Sequence, residues 1–407
     1  PQAYFNPSRN TVVWRMAVYG FIASVLPAWM LLCPRDYLSS FLKIGTIAIL
    51  VGGVIVANPV LKAPAINSAF AYGGPVVGTG VASVKGTLFP FLFITIMCGA
   101  ISGFHSLVSS GTTPKMIKRE SDARMIGYGA MLIEGLVAVI AMISAAALPT
   151  GDYYAMNIGL AQAPAAHKDL MQIGADIDHL PVIESQVQES LRGRTGGAVT
   201  LAVGMAKIFS DALARVGIAA NWLWKYWYHF AIMFEALFIL TTIDTGTRIG
   251  RFLMQEFLGR FSPELGKSNS HVGAFLATGL IVAGWTYFIL TGNISTIWPM
   301  FGIANQLLAC AALCVGTTII LRESPKKAYA WITLGPLAFV SVTTITAGVQ
   351  SVFTIYYPMS QAAATRVTGL VNMIVVSVLL CGVVFIIGGS VSRWLTLLKS
   401  RQNPVAV

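Results

Sequence analysis

Charged residues are scarce in this sequence. Lys, Arg, Asp and Glu make up 11% of its 407 residues, whereas a soluble domain typically carries about 25%. The chain therefore lacks the polar surface that water requires. Apolar residues make up 56%, and the mean hydropathy is +0.72. These values predict a membrane protein.

Motifs of the common catalytic classes are also missing. The sequence has no G-x-S-x-G, no H-E-x-x-H and no phosphate-binding P-loop. His105 and Ser106 are adjacent, so on a helix they point roughly 100° apart and do not form a simple dyad. We therefore predict a protein that is not an enzyme and has no cofactor.

Cysteines are few, and all five lie in or at the ends of apolar segments. Cys310 and Cys314 share a helix face at i,i+4, which could bring two thiols near one metal ion. Zinc sites usually show closer pairs and further ligands, so small core residues are the favoured interpretation. We predict no metal site.

Long apolar segments fill most of the chain. Nine of them can cross a hydrocarbon core that requires roughly 20 helical residues, and their length favours helices over barrel strands. The fold class is therefore an all-α, polytopic helix bundle forming a single transmembrane domain over 1–407. The segment 149–227 is predicted to be an external loop with amphipathic or re-entrant helices. The predicted spans are 11–32, 38–57, 87–108, 126–148, 228–247, 272–291, 296–320, 329–350 and 370–389.

Basic residues are distributed unevenly between the connecting segments. Successive connections alternate between the two sides of the membrane. The connections on one side hold fifteen Lys and Arg, and the short connections on the other side hold four. The positive-inside rule places the richer set, including the C-terminus, in the cytoplasm. The net charge of +11 then reflects orientation, and no basic folded domain indicates nucleic-acid binding. Because this topology starts outside at Pro1, we expect upstream helices or a cleaved leader, with part of the site missing here.

The end of the third span, GAISGFHSLVSSGTTPK at 99–115, is rich in glycine and hydroxyl groups. Such a composition predicts a broken helix, and the N-terminus of a half-helix favours anions. His105 is a candidate for proton coupling, because histidine is the side chain that commonly changes charge near neutral pH, although a lone histidine is more often structural. The candidate residues for substrate binding or coupling are Ser102, Gly103, His105, Ser106, Thr112, Thr113 and Lys115.

A second break is predicted in the seventh span, TIWPMFGIANQLLA at 296–309. Pro299 and Gly302 interrupt it, and Asn305 and Gln306 then place two amides at membrane depth. Free carbonyl groups at such a break require protein or a water-filled cavity beside them. We therefore interpret the two amides as a binding lining, with interhelical hydrogen bonds of about 1 kcal/mol as the alternative.

Carboxylates inside the spans are expensive, so most need a partner or water. Glu134 and Glu235 are each candidates for a structural pair or for proton coupling. In ILTTIDTGTRIGR, 239–251, Asp244 and Arg248 share a helix face. The segment is interpreted as a capped helix end with an internal ion pair, or as a gate or proton acceptor that includes Thr245.

The connection CPRDYLS between the first two spans carries further polar groups. Pro34 is expected to interrupt the helix, and Asp36 or Ser39 to cap the next one. Lys43, near the inner end of the second span, is expected to snorkel its ammonium group toward water, with a functional role as the alternative.

Five motifs together resemble the carbon starvation protein A family. They are LPAWMLLCPRDYLSSFLKIGTI, LFPFLFITIMCGAISGFHSLVSSGTTPKM, IGYGAMLIE, FEALFILTTIDTGTRIGRF and IWPMFGIANQLLA, and the similarity extends over nearly all of 12–350. Members are bacterial inner-membrane transporters linked to peptide uptake and, in close relatives, to proton-driven pyruvate uptake. They are distantly similar to the amino acid–polyamine–cation superfamily, which has inverted repeats and broken helices. They also have further helices before the point where this chain begins.

The resemblance implies secondary active, proton-coupled uptake of a small carboxylate or peptide under carbon starvation, across the inner membrane. Its partners would be peptide or pyruvate, the proton and the lipid bilayer. The motif residues that carry over are 102–106, 110–115, 244–248, Asn305 and Gln306. A membrane nutrient sensor or a channel without active transport is the alternative function.

Overall fold

The structure is a computed structural model, which describes residues 7–65, 88–158, 160, 171, 180–194, 196–218, 221–267, 269–291 and 294–400. Its helices are α1 (Arg9–Val25), α2 (Leu32–Ala57), α3 (Leu88–Ala100), α4 (Gly103–Gly111), α5 (Glu120–Ala146), α6 (Thr150–Asn157), α7 (Leu180–Val187), α8 (Gly197–Arg215), α9 (Trp224–Gly259), α10 (Pro263–Gly266), α11 (His271–Thr291), α12 (Ile294–Glu323), α13 (Trp331–Ser351), α14 (Tyr357–Gln361) and α15 (Arg366–Ser400). They form two compact units. The first contains α1, α2 and α5 to α11, and the second contains α3, α4 and α12 to α15.

Within the described ranges, eight helical segments are long and apolar enough to cross a membrane. They are α2, α5, α8, α9, α11, Met300–Glu323, Lys327–Gln361 and Arg366–Lys399. The predicted all-α, polytopic helix bundle is thereby confirmed. The first predicted span corresponds to α1, which has 17 residues. Much of the segment 58–86 and parts of 149–227 lie outside the described residues, so the external loop stays a prediction.

The first unit is built around α8, which packs against α2, α5 and α9. Small residues allow these helices to approach closely. A Cβ atom on Gly204 would lie 2.5 Å from the backbone oxygen of Ser144 on α5, and one on Gly53 of α2 would meet the ring of Phe209 at 3.1 Å. Helix α8 lies in the segment 149–227, for which the sequence predicted amphipathic or re-entrant helices outside the nine spans. The structure makes α8 a largely buried helix of the bundle.

The second unit is built around α12, which packs against α3, α4, α13 and α15. Its core includes Ile303, Leu307, Cys310 and Cys314, all buried. The two cysteines are thus core residues, as predicted, and the Ser341 hydroxyl donates to the Cys310 sulfur at 3.4 Å. No group of three or more His, Cys, Asp or Glu residues among the described ones is placed to hold a metal ion.

The break in the third predicted span is confirmed, because α3 ends at Ala100 and α4 begins at Gly103. The break predicted at Pro299 and Gly302 is wrong, because α12 runs continuously from Ile294 to Glu323. A Cβ atom on Gly302 would lie 2.6 Å from the Ile94 side chain and 3.0 Å from its carbonyl oxygen. This glycine therefore permits close packing of α12 on α3 and does not end a helix.

Two predicted helix ends in the first unit are also wrong. Helix α2 begins at Leu32, so Pro34 lies in its first turn, where an amide hydrogen has no intrahelical partner to lose. Asp36 is then inside the helix and is not its cap. Helix α9 continues through 239–251 to Gly259. Asp244 and Arg248 consequently lie within a long helix, on the face that the bundle buries.

Candidate functional site

The amide cluster consists of Ser102, Gly103, Phe104 and Asn305, which are in contact where the third span is broken, and of Gln306, the residue after Asn305 on α12. The backbone amide of Phe104, in the first turn of α4, donates to the Asn305 side-chain oxygen at 2.8 Å. The Ser102 hydroxyl lies 3.2 Å from the same oxygen. Ser102 also caps α4 locally, because its hydroxyl accepts from the His105 amide at 3.4 Å. Asn305 therefore supplies, from α12, part of the capping that a helix N-terminus requires.

Gly103 makes this arrangement possible. A Cβ atom at this position would collide with the Asn305 carbonyl oxygen and the Leu308 side chain, and would lie 2.6 Å from the Ala309 nitrogen. Two of these three atoms belong to the backbone of α12, which cannot yield as a flexible side chain can. Glycine is thus required for the first turn of α4 to touch α12.

The two amides keep unused hydrogen-bonding capacity. Asn305 is 3% exposed and Gln306 is 0% exposed. Among the described residues, the Asn305 side-chain nitrogen and both polar atoms of Gln306 have no hydrogen-bond partner. An unsatisfied buried polar group costs about 1–3 kcal/mol. The amide cluster is therefore suited to a polar ligand or water that supplies the missing partners.

The structure does not bring every predicted residue of the third span to the amide cluster. His105 and Lys115 are exposed, and Thr113 is half-buried. The Ser106 hydroxyl donates to the Gly103 carbonyl at 2.6 Å, within α4 itself. Thr112 is buried, and its hydroxyl has no hydrogen-bond partner among the described residues. Of the predicted residues, Ser102, Gly103 and Asn305 are in contact at the break, and Gln306 follows Asn305 on α12.

The charge network in the first unit is centred on Asp244 and consists of Tyr19, Arg35, Asp36, Lys43, Thr241, Asp244, Arg248 and Arg251. Asp244 is 0% exposed. Its two carboxylate oxygens lie 3.5 Å from a nitrogen of Arg35 and 3.5 Å from a nitrogen of Arg248. The predicted i,i+4 pair is therefore present, and Arg35 of α2 joins it from far along the chain.

Arg35 belongs to α2, and its guanidinium also contacts α1 and α9. Its guanidinium donates to the Tyr19 hydroxyl of α1 and, at 3.1 Å, to the Asp36 carboxylate. The Thr241 hydroxyl of α9 donates to the same Asp36 oxygen at 3.0 Å. Lys43 also contacts α9, because its ammonium donates to Thr241 at 3.4 Å and lies 4.8 Å from the centre of the Phe238 ring; its snorkelling stays a prediction. Hydrogen bonds thus connect α1, α2 and α9.

Arg248 and Arg251 hold the C-terminal end of α1. Arg248 donates to the carbonyl groups of Ala23 and Leu26, the latter at 2.8 Å, and Arg251 donates to the carbonyl of Ser24 at 2.7 Å. The last carbonyls of a helix lack intrahelical partners and carry partial negative charge, so cations stabilise them. Both arginines are at least nine-tenths buried.

Comparison with known proteins identifies the family of this chain. The family model described as Carbon starvation protein CstA matches residues 1–347. The chain belongs to this family. It is 46% identical over 368 residues to the peptide transporter CstA of Escherichia coli K12, covering 86% of this chain and 51% of the relative. It is 41% identical over 390 residues to the peptide transporter CstA of Bacillus subtilis 168, covering 96% and 61%.

A third relative in the CstA family is named for a different substrate. The pyruvate/proton symporter BtsT of Escherichia coli K12 is 40% identical over 382 residues, which covers 84% of this chain and 51% of the relative. The chain thus spans about half the length of these two E. coli relatives. No solved structure matches the chain.

The remaining predicted acids of this CstA-family chain, Glu134 and Glu235, do not join the charge network of the first unit. Glu134 is exposed on α5, and Glu235 is half-buried on α9 without a hydrogen bond or ion pair to any described residue. The sequence reasoning missed Tyr19 and Arg35, and it assigned Asp36 only to a cap. The signal for Arg35 and Asp36 was an Arg-Asp pair within the apolar stretch LPAWMLLCPRDYLSSF, whereas no sequence signal pointed to Tyr19.

Proposed function

We propose that this chain carries out secondary active, proton-coupled uptake of a small carboxylate or peptide across the bacterial inner membrane, under carbon starvation. The relatives named as peptide transporters and as a pyruvate/proton symporter support it. The apolar helices agree with a multi-pass membrane protein. In the orientation favoured by the basic connections, the C-terminus is cytoplasmic. A proton moving down its gradient then supplies the driving force for accumulation.

The observation that carries the proposal is the amide cluster at the N-terminus of α4, inside an apolar segment. A helix N-terminus favours negative charge, and the free nitrogens of Asn305 and Gln306 are additional donors. A carboxylate oxygen would accept hydrogen bonds from these groups. Because pyruvate and a peptide both carry a carboxylate, the cluster suits either substrate class. Transporters commonly place their substrate at such discontinuous helices.

The proposed roles divide the predicted residues between two tasks. Ser102, Gly103, Asn305 and Gln306 bind the substrate. The candidates for coupling are Asp244 with Thr245 and Arg248, Glu235, and the exposed His105. Alternating access would move one helix bundle relative to another around the substrate site.

The direct test is uptake by proteoliposomes that contain the full chain. Labelled pyruvate and a labelled tripeptide are compared, each with and without an inward proton gradient. Gradient-driven accumulation of one of them is expected, and it also names the substrate class. Uptake of neither would refute active transport and favour the sensor or channel alternative.

Replacing Asn305 by alanine is expected to raise the apparent KM for the accumulated substrate roughly 10- to 150-fold, because a hydrogen bond to a charged group contributes about 1.5–3 kcal/mol. Membrane insertion should be unchanged. The measurement is the concentration dependence of initial uptake. Gln350→Ala is the control, because Gln350 is an exposed amide on α13 of the same unit. An unchanged KM would reduce Asn305 to a contact between helices.

A further inference from the structure

Asp244 is a buried carboxylate whose cationic neighbours are engaged elsewhere. Arg248 donates to two carbonyl groups of the α1 end, and Arg35 donates to Tyr19 and Asp36. Each arginine approaches Asp244 only to 3.5 Å, and neither carboxylate oxygen accepts a hydrogen bond from a described residue. A buried ion pair is favourable only when its geometry is good and its remaining lone pairs are satisfied. Asp244 is therefore poised to take up a proton.

Asp36 offers Arg35 a second, better-formed partner. The Arg35 guanidinium lies 3.1 Å from an Asp36 oxygen, compared with 3.5 Å from Asp244. The Asp36 side chain is 32% exposed, whereas Asp244 is completely buried. The two carboxylates belong to α2 and α9, so one guanidinium connects two helices through two acids of unequal exposure. Water therefore reaches Asp36 more readily than it reaches Asp244.

The other charged and titratable groups around this pair come from each neighbouring helix. Tyr19 faces it from α1, Lys43 from α2 through Thr241, and Arg248 from α9. Helix α11, which packs on α1 and α9, carries only His271 and Tyr287 as titratable residues. On α8, which packs on α2 and α9, Lys207 and Asp211 form an ion pair with each other at 2.7 Å.

We propose that Asp36 and Asp244, with Arg35 between them, form the proton-binding site that couples uptake to the proton gradient. In this step a hydronium ion gives a proton to an Asp244 oxygen: one O–H bond of the hydronium ion breaks, one O–H bond forms on the carboxyl group, a water molecule leaves, and Asp244 becomes neutral. Arg35 is then held by Asp36 and Tyr19 alone, which weakens the electrostatic link between α2 and α9. Release of the proton restores that link. The coupling role rests on the proposed function, whereas proton binding itself can be tested separately.

Proton binding is measured by infrared spectroscopy of the full chain in detergent, recorded from about pH 5 to pH 8. Exposed Asp and Glu titrate near about pH 4, so a protonated carboxyl C=O band within this range stands out. The band is expected in the wild type and in Asp211→Asn, whose carboxylate is exposed and paired. It should be lost in Asp244→Asn. A band that survives in Asp244→Asn, or no band in the wild type, overturns the site.

Asp36→Asn keeps the test decisive if Asp244→Asn does not fold, because Asp36 is partly exposed. Removing the competing carboxylate should change the pH at which the band appears, whereas Asp36→Glu should restore the wild-type behaviour. An unchanged pH midpoint in Asp36→Asn contradicts a shared site.

Coupling is measured in proteoliposomes that contain the same variants. Asp244→Asn should retain exchange of labelled for unlabelled substrate at equal pH and lose its stimulation by an inward proton gradient. Stimulation that persists, or that is lost in His105→Ala instead, overturns the coupling role. If the wild-type chain transports neither pyruvate nor tripeptide, the proposed function fails, and the infrared result alone decides the proton site.

Discussion

Replacing Gly103 by alanine is expected to abolish uptake and to destabilise the second unit. The added Cβ atom would collide with the Asn305 carbonyl oxygen and would lie 2.6 Å from the Ala309 nitrogen. Since both atoms belong to the backbone of α12, α4 must move away as a whole. Overpacking of this kind costs about 1–3 kcal/mol. The displacement would also lengthen the 2.8 Å hydrogen bond from the Phe104 amide to Asn305, and the amide cluster would open.

The matched control is Gly99→Ala, on α3 just before the break. A Cβ atom on Gly99 meets nothing within 4 Å, and alanine favours the helix by roughly 0.5–1 kcal/mol. The measurements are the unfolding temperature of the purified chain and substrate uptake in proteoliposomes. If both variants behave alike, close contact between α4 and α12 is not required, and the amide cluster loses its structural basis.

Local sequence determines the break between α3 and α4 but not the direction in which its side chains point. Glycines and hydroxyl residues predict that the helix ends there, and Ser102 acts as the cap. The orientation of α4 is set by Gly103, whose contact with α12 depends on tertiary packing. Successive helical residues are about 100° apart, so His105 points roughly opposite to Gly103. That is why His105 is exposed while Gly103 is buried.

A glycine in an apolar segment can accompany a helix end or permit two helices to pack closely, and a single sequence does not distinguish these two roles. At the α3–α4 break it accompanies a helix end, whereas at Gly302 it allows α12 to touch Ile94. The predicted second break failed for this reason.

The charge network was also only partly predictable from local sequence. The pair formed by Asp244 and Arg248 follows from i,i+4 spacing, which acts within one helix. The contact of Asp36 with Thr241 joins residues 205 positions apart. Its existence depends on how α2 packs against α9, which local patterns do not specify.

Replacing Arg248 by methionine is expected to destabilise the first unit by about 3–5 kcal/mol, the cost of removing one partner from a buried ion pair. Arg248 is 3% exposed, lies 3.5 Å from Asp244, and donates to the carbonyls of Ala23 and Leu26. Without it, Arg35 is the only cation left within 4 Å of Asp244 among the described residues, and two carbonyls at the end of α1 lose their donor. Unfolding of the purified chain measures the loss, with Arg260→Met, an exposed arginine just after α9, as the control.

The double variant Asp244→Asn/Arg248→Met separates the two roles of Arg248. If the buried charge dominates, neutralising Asp244 removes the uncompensated carboxylate, and the double variant should be less destabilised than the sum of the single variants by about 0.5–3 kcal/mol. Strict additivity would mean that Arg248 acts only through the α1 carbonyls. Asp244 would then be electrostatically independent of α1. A proton bound there would not be communicated to that helix through Arg248, and Arg35 would be left as the sole connection.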